Sequence, residues 1–261
     1  FVTNPDDCNL GCAMCECGVG APSWGERDRR SSPRRLSAER VLAVLDEREG
    51  SALREVIPST TGEPLLWDGL DALVDRCSQR GLSLNVTTNG TWPGRGPARW
   101  AARLLPVVSD LKVSWNGSTP ETAAAIMSGI DLARAVDDLR VVIAHRNSIG
   151  GWTGSRPTLS LQVTAQEGNV SELGDIVRIA AALGVDRVKV NHIQVRFPSL
   201  AQRSLRRGRL SVARWNHAVA QMRAAAAANP TPDGRHVELQ GAVELPPDPA
   251  ERLPPGPCPF L

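Results

Sequence analysis

Cys8-Asn9-Leu10-Gly11-Cys12-Ala13-Met14-Cys15 sets three thiols into one short loop, with three residues and then two between them. Thiolates at this spacing can each take one corner of a cubic four-iron, four-sulfur cluster, and the fourth iron is then left without a protein ligand. An open metal position distinguishes a catalytic site from a purely structural one. The chain has six cysteines (Cys8, Cys12, Cys15, Cys17, Cys77 and Cys258), and the first four fall within ten residues. A disulfide framework would spread its partners along the chain and belongs mostly to small secreted domains. Crowded thiols without an export signal point instead to metal ligation in a reducing compartment, the cytoplasm. Zinc is the alternative. It wants four protein ligands, so Cys8, Cys12, Cys15 and Cys17 together would make a closed site in a non-catalytic binding module. Cys17 reaches that position only through an awkward bend, which favours the cluster.

The rest of the chain sets the frame for this loop. Its 261 residues, 41% hydrophobic and 22% charged, suffice for one large α/β domain. The formal net charge of +2 argues against a general polyanion binder, nucleic acid included. Lys112 and Lys189 are the only lysines, and arginine supplies the remaining positive charge. No apolar run approaches the roughly 20 residues that span a bilayer, and no secretory pattern opens the chain.

Short β-type runs alternate with amphipathic helical runs, the pattern of parallel α/β architecture. Strands are expected at Phe1–Thr3, Leu53–Ser59, Leu82–Thr87, Asp110–Trp115, Thr158–Thr164 and Arg187–Ile193. Helices are expected at Ser37–Glu49 with Ser37 as cap, Trp67–Arg80 closed by Gly81, Pro97–Leu105, Val170–Leu183 ended by Gly184, and Ser211–Ala228. Helical pieces at Pro120–Met127 and Leu132–Leu139 are interrupted near Gly129; Val141–Ala144 reads equally as strand or helix end, and Gly150–Arg156 as a turn. About six β/α units result. Right-handed crossovers close them into a barrel or part of one, with an open doubly wound sheet as the competing arrangement. Residues 1–245 form this domain, and the proline-rich stretch 246–261 reads as linker.

Two further stretches carry weight. Thr61-Gly62-Glu63-Pro64 follows the second strand, and Lys112-Val113-Ser114-Trp115-Asn116-Gly117 ends the fourth. With the cysteine loop, they resemble in order the motifs of the radical S-adenosylmethionine (SAM) superfamily. The resemblance implies a partial (β/α)6 TIM-type barrel with a 4Fe–4S cluster on Cys8, Cys12 and Cys15. It implies that SAM chelates the open iron through its amino and carboxylate groups. An electron from a donor such as flavodoxin or ferredoxin then yields methionine and a 5′-deoxyadenosyl radical, which takes hydrogen from a peptide or small metabolite.

Thr61, Gly62, Glu63 and Pro64 stand where the family's Gly-Gly-Glu-Pro motif binds the SAM amino group, Thr61 replacing the first glycine. Met14 stands where the family often carries an aromatic residue near the adenine. Ser114 and Asn116 point to one face by alternation; they match the family's ribose contacts, although Asp is common at the second position, and a plain Asn-Gly turn explains Asn116 equally well. Thr87, Asn89, Gln162, Thr164, Asn191 and His192 lie at strand C-terminal ends, where barrel enzymes place active-site groups; of these, Asn89 and Gln162 are expected to touch the cofactor. A satisfied, partly buried His192 and a surface or salt-bridge Arg146 are the plainer expectations for those two residues. Two arginine-rich segments, Arg27–Arg35 and Arg203–Arg209, should follow strands onto the barrel mouth as solvated loops or as a positive rim for an anionic substrate. Cys77 is expected to be buried in its helix. The chain opens on Phe1 and ends with Pro257-Cys258-Pro259-Phe260-Leu261, whose Cys-Pro pair resembles the start of a SPASM or Twitch auxiliary-cluster domain and suggests an excised segment.

Overall fold

The computed structural model describes residues 8–15, 37–58, 62–149, 156–196 and 198–247. The expected strand at Phe1–Thr3, Cys17, the Arg27–Arg35 segment, Thr61, most of the turn at Gly150–Arg156 and Cys258 lie outside them. In chain order the elements are β1 (Gly11–Cys12), α1 (Ala38–Glu47), β2 (Glu55–Val56), α2 (Leu70–Gln79), β3 (Ser83–Thr88), α3 (Gly96–Leu104), β4 (Val108–Ser114), α4 (Pro120–Ile126) and β5 (Met127–Ser128). There follow α5 (Leu132–Ser148), β6 (Thr158–Ala165), α6 (Leu173–Leu183), β7 (Arg187–His192), α7 (Arg209–Ala228) and β8 (Glu238–Gln240).

Six strands pair in parallel in the order β2-β3-β4-β6-β7-β8. That order never reverses, whereas a doubly wound sheet needs a reversal point. The helices form a single layer, with α1 on α2, α3 on α5, α5 on α6 and α6 on α7. An open partial barrel results.

Strand alternation separates its two faces. Leu84 and Val86, Leu111 and Val113, Leu159, Leu161 and Val163, and Val188 and Val190 are buried in the main core. The opposite, concave face carries Asn85 and Thr87, then Asp110, Lys112 and Ser114, then Ser160, Gln162 and Thr164, then Arg187, Lys189 and Asn191, matched row by row in the strand register. A polar barrel interior with an apolar outer face is the expected pattern when helices cover only one side.

Local signals explain most boundaries. The Ser37 side chain accepts from the Arg40 N–H to cap α1, and Gly184 ends α6 with φ +84°, a conformation that favours glycine. Two expectations need correction, and two others are sharpened. The second strand shrinks to Glu55–Val56. The helix expected from Trp67 begins at Leu70, because Pro64–Leu66 forms a separate 3-10 turn. The expected break near Gly129 is present, and just before that glycine it holds a short strand, β5, whose antiparallel partner is β1 in the cysteine loop. Val141–Ala144 belongs to α5, which runs unbroken to Ser148. An unforeseen sixth sheet strand, β8, has three residues and no apolar alternation to announce it.

The pole away from the cysteines is locked by Asp186. It accepts from the Leu159 N–H at 2.9 Å and pairs with Arg146, with Arg156 at 3.1 Å and with Arg235 at 2.8 Å. The Arg146 side chain is 1% exposed and also donates to the Gly184 carbonyl at 2.9 Å, so it is a buried ion pair rather than a surface arginine. Removing the partner of a buried charge costs more than the pair itself contributes. Asp186→Ala is therefore expected to lower stability by about 3 kcal/mol, read as a drop in the urea midpoint at unchanged m-value.

Candidate active site

The cysteine loop is held by contacts within the protein itself. Gly11 and Cys12 pair with Ser128 and Met127, the Ala13 N–H donates to the Ile126 carbonyl at 2.8 Å, and the Cys15 N–H donates to the Cys12 carbonyl at 3.0 Å. Leu10, Ile126 and Met127 form a small core of their own beneath it. From the other side, the Asn89 amide donates to Asn9 Oδ1 at 2.9 Å and to Cys8 Sγ at 3.8 Å, and the Asn9 amide donates to Thr91 Oγ1 at 2.9 Å. The loop is thus tied to β5 and to the end of β3.

Its thiols open onto a cavity of about 950 Å³ at the C-terminal ends of the strands. Cys8, Cys12, Met14, Cys15, Gly62, Glu63, Asn89, Ser114, Asn116 and Gln162 all line it. So do Thr87, Thr164, Asn191, His192 and Arg206. Pro64 does not; it is buried at the start of the 3-10 turn. The sequence reading missed Thr88, Met127 and the Ile193–Arg196 stretch after β7 as cavity residues. Thr88 had a weak signal, standing beside two singled-out residues; Met127 had none, since only the tertiary pairing of β5 with β1 brings it there.

Glu63 is 1% exposed. Its Oε1 accepts from Thr88 Oγ1 at 2.7 Å and from the Leu65 N–H at 3.2 Å; its Oε2 accepts from the Asn89 N–H at 2.6 Å. Gly62, at φ +75°, turns the chain so that the carboxylate points back at β3. Burial raises the Glu63 carboxyl to about 7, against the pull of these three donors.

The thiols respond in the same sense. Burial raises Cys12 to about 12, with the Cys15 and Cys8 charges adding to the rise, and burial also raises Cys8. Three thiols that repel one another's negative charge share one neighbourhood, which favours thiolates only when a cation joins them. Among the described residues no three His, Cys, Asp or Glu side chains are grouped to hold a single metal ion; in a cubic cluster each thiolate takes a different iron. The donor set fits such a cluster.

Asn116 does two things at once. Its Oδ1 accepts from the Thr164 N–H at 2.7 Å and its carbonyl accepts from Asn169 Nδ2 at 3.0 Å, which fixes the turn after β4. A Cβ on Gly117 would lie 2.4 Å from the Ala123 backbone nitrogen, so only glycine lets α4 approach. The amide donor of Asn116 is what remains for the cavity it lines. His192 stacks at a tilt on Trp215, ring centroids 4.3 Å apart. Cys77 is fully buried, as expected. The arginine rim contracts: Arg203 donates to Gln166 Oε1 at 3.0 Å and Arg207 pairs with Glu167 at 3.1 Å, while Arg206 and Arg196 line the cavity. No helix of the described residues is long and apolar enough to cross a membrane.

Comparison with known proteins agrees with this architecture. Over 189 residues the chain is 23% identical to the tungsten-containing aldehyde ferredoxin oxidoreductase cofactor-modifying protein of Pyrococcus furiosus, covering 71% of this chain and 49% of that protein. Over 128 residues it is 31% identical to the 7-carboxy-7-deazaguanine synthase of Methanopyrus kandleri, covering 42% of this chain and 48% of that protein. The chain thus spans about half the length of the curated relatives it matches. Among solved structures, Streptococcus suis SuiB bound to S-adenosylmethionine superposes with a TM-score of 0.63 at 14% identity over 92% of this chain and 50% of SuiB. The anSMEcpe structure with bound AdoMet gives 0.63 at 11% identity over 91% of this chain and 62% of that one. At such identities the likeness speaks to fold. The radical SAM superfamily model matches residues 5–147, from ahead of the cysteine loop into the last turn of α5. On that match, which takes in more than half of its residues, the chain belongs to the radical SAM superfamily.

Proposed function

We propose that this chain is the catalytic barrel of a radical SAM enzyme, with a 4Fe–4S cluster on Cys8, Cys12 and Cys15 and SAM in the adjoining cavity. Cluster and SAM together, when bound, supply one-electron cleavage of a carbon–sulfur bond to methionine and a 5′-deoxyadenosyl radical that abstracts hydrogen from the substrate. The observation that carries this reading is that three cysteines and the buried Glu63 open onto one cavity at the strand C-termini.

The chain's own groups then have defined tasks. Glu63, with the backbone of Thr61 and Gly62, accepts hydrogen bonds from the SAM amino group. Met14 packs by the adenine as a soft, adaptable side chain. Ser114 and Asn116 hold the ribose, with Asn89 and Gln162 completing the pocket. The concave barrel face admits the substrate and keeps bulk water from the reacting carbon.

A flavodoxin or ferredoxin is the matching electron donor. The substrate is a peptide undergoing maturation or a carbohydrate-type metabolite undergoing dehydrogenation or epimerisation. The peptide option is supported by SuiB, solved with its precursor peptide SuiA, and by anSMEcpe, solved with a peptide. Residues 1–245 would form this barrel, and 246–261 would lead into an auxiliary-cluster domain beginning near Cys258.

Anaerobic reconstitution tests the proposal. We expect a brown protein with about four irons per chain that, given dithionite and SAM, releases 5′-deoxyadenosine. A colourless zinc protein would instead identify the closed four-cysteine module.

A further inference from the structure

Asn89 meets the cysteine loop from the end of β3, and its neighbours leave its side-chain amide one orientation. The Thr91 N–H, which can only donate, meets Asn89 Oδ1 at 3.0 Å, so Oδ1 faces Thr91 and Nδ2 faces the loop. Three side chains then close a ring. Thr91 Oγ1 donates to Asn89 Oδ1 at 2.7 Å, Asn89 Nδ2 donates to Asn9 Oδ1 at 2.9 Å, and Asn9 Nδ2 donates to Thr91 Oγ1 at 2.9 Å. One Nδ2 hydrogen is used within the ring. The other is directed at Cys8 Sγ, 3.8 Å away, within reach of the large sulfur atom.

The setting makes this donor effective. Asn89 is 9% exposed, and its backbone N–H is anchored on Glu63 Oε2 at 2.6 Å, so neither backbone nor amide is free to turn away. A fixed neutral donor in a low-dielectric pocket favours whichever state of its acceptor carries more negative charge. For a thiolate on an iron–sulfur cluster that is the reduced state, and hydrogen bonds to ligand sulfurs are among the levers that set cluster potentials.

We infer that Asn89 acts through Cys8 as a positioning residue: its amide, aimed at the Cys8 sulfur, raises the reduction potential of the cluster which that sulfur holds and so eases electron entry. This rests on the cluster assignment proposed above. The test is a dithionite titration of the anaerobically reconstituted protein, followed by electron paramagnetic resonance and run without SAM, so that neither SAM binding nor its cleavage enters. We expect Asn89→Ala to shift the reduction equilibrium about threefold against the reduced state. At about 59 mV per tenfold for one electron, that is a midpoint lower by about 28 mV. Asn89→Asp keeps the Oδ1 acceptor but turns a carboxylate oxygen toward the sulfur, and should lower the midpoint further. Thr91→Val breaks the ring while leaving Asn89 Nδ2 in place; it should keep the wild-type potential, which separates an electrostatic role from support of the loop. If one Asn89 variant assembles no cluster, the sign of the other decides; loss of the cluster in both would mark Asn89 as loop support and overturn the assignment. Wild-type potentials in the Asn89 variants, or an equal drop in Thr91→Val, would overturn it too. A wild-type protein that assembles no cluster would instead overturn the proposed function, and this inference with it.

Discussion

Cys12→Ala is expected to yield a protein that folds, keeps little iron after anaerobic reconstitution, and releases no detectable 5′-deoxyadenosine. Cys12 is the most constrained of the three thiols. It sits in the two-residue pairing with β5, and burial together with its two thiol neighbours raises it to about 12. Without metal it is held as a neutral thiol; with metal, its thiolate completes the three-point grip. Folding should survive, because β1 is held by backbone hydrogen bonds and by Leu10 rather than by the sulfur. Two companion variants give the result its meaning. Cys77→Ala should leave iron content unchanged, since that thiol lies wholly inside the α2 core, where burial raises it to about 11. Cys17→Ala should also retain iron and cleavage; a loss there would make Cys17 a fourth protein ligand and close the position left open for SAM.

Much of this site was legible because strands expose their arrangement in a period of two. Lys112-Val113-Ser114 and Gln162-Val163-Thr164 announce a polar face and an apolar face directly, and their register then brings Ser114 beside Gln162. The cysteine loop was legible for a different reason, since metal chemistry fixes ligand spacing in sequence. What escaped depended on contacts between distant segments. Nothing local to Met127 says that it will pair with Cys12, 115 positions earlier. The strand β8 is polar and three residues long, so only its neighbour β7 determines it. Arg146 reads in sequence as a surface or salt-bridge residue; its burial follows from Asp186, forty positions away, which gathers three arginines at one pole.

Glu63→Gln is expected to weaken SAM binding roughly a hundredfold, the scale of a lost charged hydrogen bond with one backbone donor stranded. The geometry explains why an amide cannot substitute. Backbone N–H groups address both carboxylate oxygens, Leu65 on Oε1 and Asn89 on Oε2. A glutamine must therefore aim its NH₂ at one of them, donor against donor. The ionised carboxylate also keeps a fourth lone-pair site, which the SAM amino group would use. Its protonation near 7 adds a signature that a merely structural role would lack. Below about 7 the wild-type carboxyl becomes neutral, so the ratio of wild-type to Gln affinity should shrink as pH falls from 8 to 6.

The same shift has a stability consequence in the unliganded protein. The folded value lies above the ordinary 4.5, so the folded state holds the extra proton between the two values. Raising the pH through that window removes stability, up to about 3 kcal/mol by pH 7. SAM binding, by supplying a donor to the charged form, should recover part of it. Urea titrations at pH 6 and pH 8, with and without SAM, would show the ligand-free midpoint falling with pH more in the wild type than in Glu63→Gln. Equal pH slopes in the two proteins would mean that Glu63 is already ionised by its three donors, and that the site meets SAM with a fixed charge.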